Sequence, residues 1–225
     1  YDNLVLYQTP SFRGFQFGVG YSFSADDGNA DGSTKADPTR VGFRTADNVR
    51  AITTGLRYVN GPLNVALSFD QLNASHNQAQ SQVDATPRSY MIGGSYDFEV
   101  VKLALAYART TDGWFATSNP AGASGSYTPP GATRALNYFK ANSYMLGATL
   151  PLDGMSNLFG SWQHVSPSND KLTGDDANMN VWSVGYTYDL SKRTMVYAYG
   201  SYGKNYAFID GLKTTAVGVG LRHRF

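Results

Sequence analysis

The chain has 225 residues, a formal net charge of +1 and no cysteine. The even charge balance argues against nucleic-acid binding, which shows a clear basic excess, and the lack of cysteine removes disulfide frameworks, thiolate metal sites and thiol nucleophiles. Charged residues make up 16%, below the roughly 25% of soluble domains, while Tyr (16), Phe (12) and Gly (24) are abundant; that profile suits a wall with lipid on one side and water on the other, although a soluble β-sandwich can share it.

Along the chain the dominant signal is alternation of apolar and polar residues over segments of about 10 residues. Eleven strands follow from it: 3–9, 13–24, 47–59, 62–73, 88–98, 100–112, 139–151, 155–165, 179–189, 193–204 and 213–225. In the second, Phe15, Phe17, Val19, Tyr21 and Phe23 fall on one face, with Gln16, Gly18, Gly20 and Ser22 on the other. The fourth sets Leu63, Val65, Leu67 and Phe69 against Asn64, Ala66, Ser68 and Asp70. The ninth sets Trp182, Val184, Tyr186, Tyr188 and Leu190 against Val181, Ser183, Gly185, Thr187 and Asp189. The last sets Val217, Val219, Leu221, His223 and Phe225 against Ala216, Gly218, Gly220, Arg222 and Arg224. No stretch carries the i, i+3, i+4 spacing of an amphipathic helix, and no apolar run approaches the ~18 residues of a membrane-spanning one.

The linkers alternate in length. Short ones lie at 10–13, 60–61, near Glu99, at 153–154 and at 191–192; long ones, rich in Asn, Asp, Gly, Ser and Pro, lie at 25–46, 74–87, 113–138, 166–178 and 205–212. Tight turns at one end and long loops at the other are the habit of outer-membrane barrels, and a sandwich has no reason to alternate so strictly. The expected fold is therefore all-β: a transmembrane, antiparallel, up-and-down β-barrel. An odd number of antiparallel strands cannot close without one parallel seam, so either one strand escapes the alternation or, the preferred expectation, further strands belong before the first.

Three stretches carry a family resemblance. Residues 3–15 read Asn-Leu-Val-Leu-Tyr-Gln-Thr-Pro-Ser-Phe-Arg-Gly-Phe, against a family pattern Asn-Ser-Val-x-Tyr-x-Ser-Pro-x-Phe-x-Gly-Phe, with departures at Leu4 and Thr9. Leu190-Ser191-Lys192-Arg193-Thr194 followed by Tyr197 matches the turn before the penultimate strand. Residues 217–225, Val-Gly-Val-Gly-Leu-Arg-His-Arg-Phe, match the terminal strand closely. On these residues the chain resembles the Gram-negative general diffusion porins, trimeric barrels of sixteen strands.

The resemblance implies a porin barrel domain over 1–225 holding the sixth to sixteenth strands, without the first five strands and the inward-folded constriction loop. It implies a water-filled channel for passive diffusion of ions and small hydrophilic solutes, with no cofactor, in the outer membrane of a Gram-negative bacterium. The implied partners are membrane lipid and lipopolysaccharide, two further copies in a homotrimer, and the barrel-assembly machinery, which would read Val219, Leu221 and Phe225 as its signal.

Face parity nominates lumen-facing charges. Arg57, Lys102, Arg222 and Arg224, with Asp70, Asp97 and Asp189, share parity with small or polar residues. Such charges are tolerated on a wet wall, whereas Arg or Lys facing lipid costs about 2–4 kcal/mol at mid-membrane. Their expected role is to bias which ions pass. Arg50, Arg88 and Arg109 have the opposite parity but lie at loop ends, near lipopolysaccharide phosphates or water. Tyr58, Phe69, Tyr96, Phe98, Tyr107, Tyr144, Trp182 and Tyr188 are expected to form aromatic girdles on the apolar face.

Other motifs are weaker. Residues 27–32, Asp-Gly-Asn-Ala-Asp-Gly, match the first half of a calcium loop, but Pro38 stands where its bidentate Glu belongs. His76, His164 and His223 are scattered, without metal-helix spacing. His164 near Ser161 and Ser166 is the one cluster that would serve an alternative reading, a small outer-membrane barrel enzyme of phospholipase or protease type, since a nucleophile needs a base within hydrogen-bond reach.

Overall fold

The structure, a computed structural model, describes residues 4–23, 50–73, 86–112, 140–168, 178–208 and 210–225. The calcium-like loop at 27–32 and His76 lie outside them. Eleven strands form: β1 Leu4–Gln8, β2 Phe15–Ser22, β3 Arg50–Asn60, β4 Leu63–Asn73, β5 Arg88–Asp97, β6 Lys102–Thr111, β7 Lys140–Pro151, β8 Ser156–Pro167, β9 Met179–Ser191, β10 Thr194–Lys204 and β11 Lys213–His223. A 3-10 turn, Tyr206–Phe208, stands between the last two. All eleven belong to one sheet in which each strand pairs with its neighbour in sequence, β1 and β11 being the two ends of the order. This is the expected up-and-down meander, strand for strand. The ladder stops one to three residues short of the alternation at several ends; Arg224 and Phe225, expected in the last strand, follow it instead.

The chain divides into two compact units. The first comprises the described parts of 1–58, 66–91 and 109–140. Its β1, β2 and part of β3 form successive antiparallel ladders, with Tyr7 opposite Val19 and Phe17 opposite Leu56. The turn into β2 is closed by paired bonds between Phe12 and Phe15 (2.8 and 2.9 Å). Its two central residues, Arg13 and Gly14, have φ of 48° and 87°, the left-handed pair that a two-residue hairpin needs to match strand twist. Thr9 anchors the same end, its hydroxyl accepting from the Phe17 N–H at 3.0 Å.

The second unit comprises the described parts of 59–65, 92–108 and 141–225. Here β7 to β11 pair in turn, from Leu146 opposite Trp162 to Ala198 opposite Val219, with one register shift between Thr194 and Met195 where β10 meets β9. Polar side chains fix its tight turns. Asp153 Oδ1 accepts from the Met155 N–H (3.0 Å), the Ser156 N–H (2.7 Å) and the Ser156 hydroxyl (2.7 Å). Ser191 Oγ accepts from the N–H groups of Arg193 and Thr194 at 3.2 and 3.1 Å. Asp97 Oδ1 accepts from the Glu99 N–H at 2.9 Å, where Glu99 has φ of 69°. Beyond β10, Asn205 organises the return: its Oδ1 accepts from the Gly211 N–H and its Nδ2 donates to the Asn178 carbonyl.

Burial runs against the pattern of a soluble domain. Among the described residues only Ala51, Ala141 and Phe208 are buried hydrophobics, while Val217 and Val219 are 82% and 85% exposed and Leu105 61%. The apolar rows do not meet one another across a dry interior. They lie open.

Candidate functional site

The site is the wall itself, so its geometry is the register. Residues directly opposite each other in an antiparallel ladder project to the same face, and the observed pairs therefore sort every strand of the two ladders. In the second unit one face carries Leu146, Trp162 and Trp182 across β7, β8 and β9, then Tyr202 on β10. A parallel row carries Leu158, Tyr186, Ala198 and Val219. In the first unit Phe17 with Leu56 and Tyr21 with Ile52 repeat the pattern. The alternate rows hold Gln16 with Arg57, Gly18 with Gly55, and Ser161 with Ser183 and Ser201. The last two hydroxyls are 2.8 Å apart.

Aromatic rings stand where girdles were expected, on the apolar face. Phe15 meets Tyr58 at 4.4 Å between ring centroids, Phe69 meets Tyr90 at 5.0 Å, Tyr96 meets Phe98 at 4.5 Å and Tyr107 meets Tyr144 at 5.3 Å. Several rings carry a satisfied polar tip: the Tyr107 hydroxyl donates to Asn142 Oδ1 at 2.9 Å, and the Trp162 Nε1–H to Asn180 Oδ1 at 3.2 Å. His164 belongs to this face, paired with Tyr144 and Asn180 and in contact with Asn180 Oδ1 at 2.9 Å. Ser161 lies in the alternate row, whereas Ser166, opposite Asn142, shares the face of His164.

The nominated charges fall as follows. Arg57 stands opposite Gln16 in a polar row. Asp189 and Arg222 stand on either side of Met195 in another. Lys102 opens β6 and Asp70 lies three residues before the end of β4. Asp97 ends β5, where its carboxylate caps the turn through Glu99, a structural task that parity does not disclose. Arg224 lies just past β11, its N–H bonded to the Arg193 carbonyl at 2.9 Å. Val219 and Leu221 lie in apolar rows opposite Ala198 and Val196, and Phe225 packs edge-on against His223 at 4.9 Å. Arg88, at a loop end, donates from Nε to Gln71 Oε1 at 3.0 Å.

Sequence reasoning missed the large side chains of the polar face. Tyr197 and Tyr199 lie in polar rows opposite Gly220 and Gly218. A Cβ placed on either glycine would collide with the tyrosine ring, at 2.5 Å in the case of Gly218. Phe159 covers Gly185 in the same way, and the two tyrosine rings are nearly parallel at 17°. The glycines are legible as polar-face residues, but their purpose is not. Each leaves a gap into which a neighbour's ring lies down. In the first unit Thr53, Leu4 and Leu6 cover Gly20 likewise, Thr53 most closely.

These features converge with what the chain is similar to. A family model described as Gram-negative porin matches residues 1–207. The chain belongs to the Gram-negative porin family. It is 67% identical over its whole length to an outer membrane porin protein of Bordetella pertussis, and spans 58% of that protein. It is 28% identical to outer membrane porin protein 32 of Delftia acidovorans, and spans 56% of that one. It thus covers little more than half the length of these curated relatives. Among solved structures, a porin refined at 1.8 Å matches 99% of the chain and 61% of its own length, with a TM-score of 0.65 and 16% identity. Salmonella typhi OmpF, in a complex with daunomycin, matches 98% and 61% with a TM-score of 0.64 and 17% identity. The fold is accordingly the transmembrane, antiparallel β-barrel of porins, and the location is the Gram-negative outer membrane.

Proposed function

We propose that this porin chain forms part of the wall of a water-filled channel through which ions and small hydrophilic solutes diffuse passively. The observation that carries the reading is the exposure of the apolar rows. A sheet with Val217, Val219 and Leu105 open on one face and glycines, hydroxyls and charges on the other suits acyl chains outside and water inside. Arg57, Asp70, Asp97, Lys102, Asp189, Arg222 and Arg224 are the charges we assign to the wet side, where they bias ion passage through their fields. Diffusion down a gradient needs no catalytic group.

The assembly reading goes with it. The whole protein would be a homotrimer of sixteen-stranded barrels, in contact with lipid and lipopolysaccharide. An exposed terminal strand with Val219, Leu221 and Phe225 aligned could pair with a strand of the assembly machinery by edge addition. Planar-bilayer conductance of the native full-length protein tests the function. Stepwise insertions with ohmic current in potassium chloride are expected, together with swelling of proteoliposomes in small sugars. Silence at all voltages in correctly folded protein would overturn the proposal.

A further inference from the structure

We propose that the end of the sheet formed by the β9–β10 turn and the close of β11 holds a site for a small multivalent oxyanion of phosphate type. A cavity of about 460 Å³ lies there, lined by Lys192, Arg193, Arg222 and Arg224, with Asp189 as its one carboxylate. The register sets that carboxylate and Arg222 on different strands. Met195 stands between Asp189 and Arg222, opposite both, so the two are two strand spacings apart, roughly 9–10 Å between backbones. Among the described residues no ion pair or side-chain hydrogen bond ties any of the four cations, and none is among those with a further partner.

The turn itself is fixed by other means. Ser191 Oγ already accepts from the Arg193 and Thr194 N–H groups, and the Arg224 N–H donates to the Arg193 carbonyl. The backbone donors are therefore spent on shape, and the free donors are three guanidinium forks and one ammonium. Guanidinium forks match the paired oxygens of phosphate. Like charges gathered in one cavity repel, and a divalent oxyanion among them turns that repulsion into attraction. Arg222 has the polar-face parity, so the site faces solute in the lumen rather than acyl chains; in this respect the inference rests on the channel reading.

The test is isothermal titration of inorganic phosphate into the native full-length protein in zwitterionic detergent, at constant ionic strength in chloride. Saturable binding is expected. Arg222→Gln with Arg224→Gln should weaken it at least tenfold, Arg222→Lys with Arg224→Lys should keep it within about fivefold, and Lys204→Gln with Lys213→Gln, remote from the cavity, should change it less than twofold. If the double glutamine variant does not fold, Arg224→Gln alone should still weaken binding severalfold. Absence of saturable binding, or equal affinity in wild type and every arginine variant, overturns the site. Binding of dihexanoylphosphatidylglycerol but not of phosphate also overturns it, in favour of a lipid headgroup. The same samples are read in bilayers: conduction without phosphate binding removes the site and leaves the channel, while binding without conduction removes the channel and leaves the site.

Discussion

The two faces of β8 to β11 are built from similar side chains put to opposite uses. On one, Trp162, Trp182, Tyr186 and Val219 stand outward and exposed. On the other, Phe159, Tyr197 and Tyr199 lie over glycines of the neighbouring strands. Aromatic content therefore does not define the lipid side of this wall. What distinguishes the wet side is that its rings have glycines across the ladder to lie over, as Phe159, Tyr197 and Tyr199 do. A ring lying over glycine shields backbone that would otherwise be bare and keeps the wet side smooth, the rescue of glycine by an aromatic neighbour seen in designed sheets. The first unit does the same with methyl groups, those of Thr53, Leu4 and Leu6 over Gly20.

The comparison breaks most severely if a charge is placed on the wrong side. Val184→Arg puts a guanidinium among acyl chains and should lower stability by about 2–4 kcal/mol. Ser183→Arg, one residue away on the wet side, gives up only the bond to Ser201 and should cost about 1 kcal/mol. Urea unfolding in phospholipid vesicles measures both. Equal losses at the two positions would mean that the faces have been assigned wrongly.

A subtler break restores a Cβ where a ring needs space. Gly218→Val would force the Tyr199 ring off the wall, with an expected cost of about 1–3 kcal/mol from overpacking. Tyr199→Ala removes the ring and exposes backbone. The pair should be strongly non-additive, because in Gly218→Val with Tyr199→Ala the new side chain occupies the space the ring has left. Additive losses in a double-mutant cycle would show that the ring and the glycine are independent. In single-channel records Gly218→Val alone should lower conductance, since the displaced ring projects into the lumen.

Which parts of this are legible in the sequence follows from what alternation encodes. Period-two patterning reports face, so the eleven strands, their pairing order and the rows of Phe17, Leu67, Trp182 and Val219 can be read directly. It does not report what lies across the ladder. Tyr197 and Tyr199 break the rule that large apolar groups face lipid, and only their register against Gly220 and Gly218 explains them. β1 is opaque for the same reason: Leu4-Val5-Leu6-Tyr7 is apolar at both parities, and the sense of each residue comes from Leu6 opposite Gly20 and Tyr7 opposite Val19. Parity places Asp97 on the wall but does not disclose that its carboxylate also caps the turn beginning at the next residue. The cation cluster gathers residues from a turn and a strand end, and so depends on a distance that no local pattern carries.

The smallest expected effect sharpens the comparison at the turn end, where neither face matters. Asp153 lies outside the spanning strands, and its carboxyl is held below its ordinary value of 3.8, chiefly by the Ser156 hydroxyl and then by the Met155 N–H. A folded-state value below the unfolded one means that the carboxylate stabilises the fold above about pH 4 and loses that contribution as pH falls through the depressed value. Asp153→Asn should therefore leave the porin slightly less stable at neutral pH, and the gap to wild type should close in acid. Because the group is fully exposed, salt and water weaken the interaction and keep the gap small. Unfolding curves at pH 7 and pH 3 for both proteins would read it, and a gap that persists unchanged in acid would assign the loss to turn geometry instead of to the ionised carboxylate.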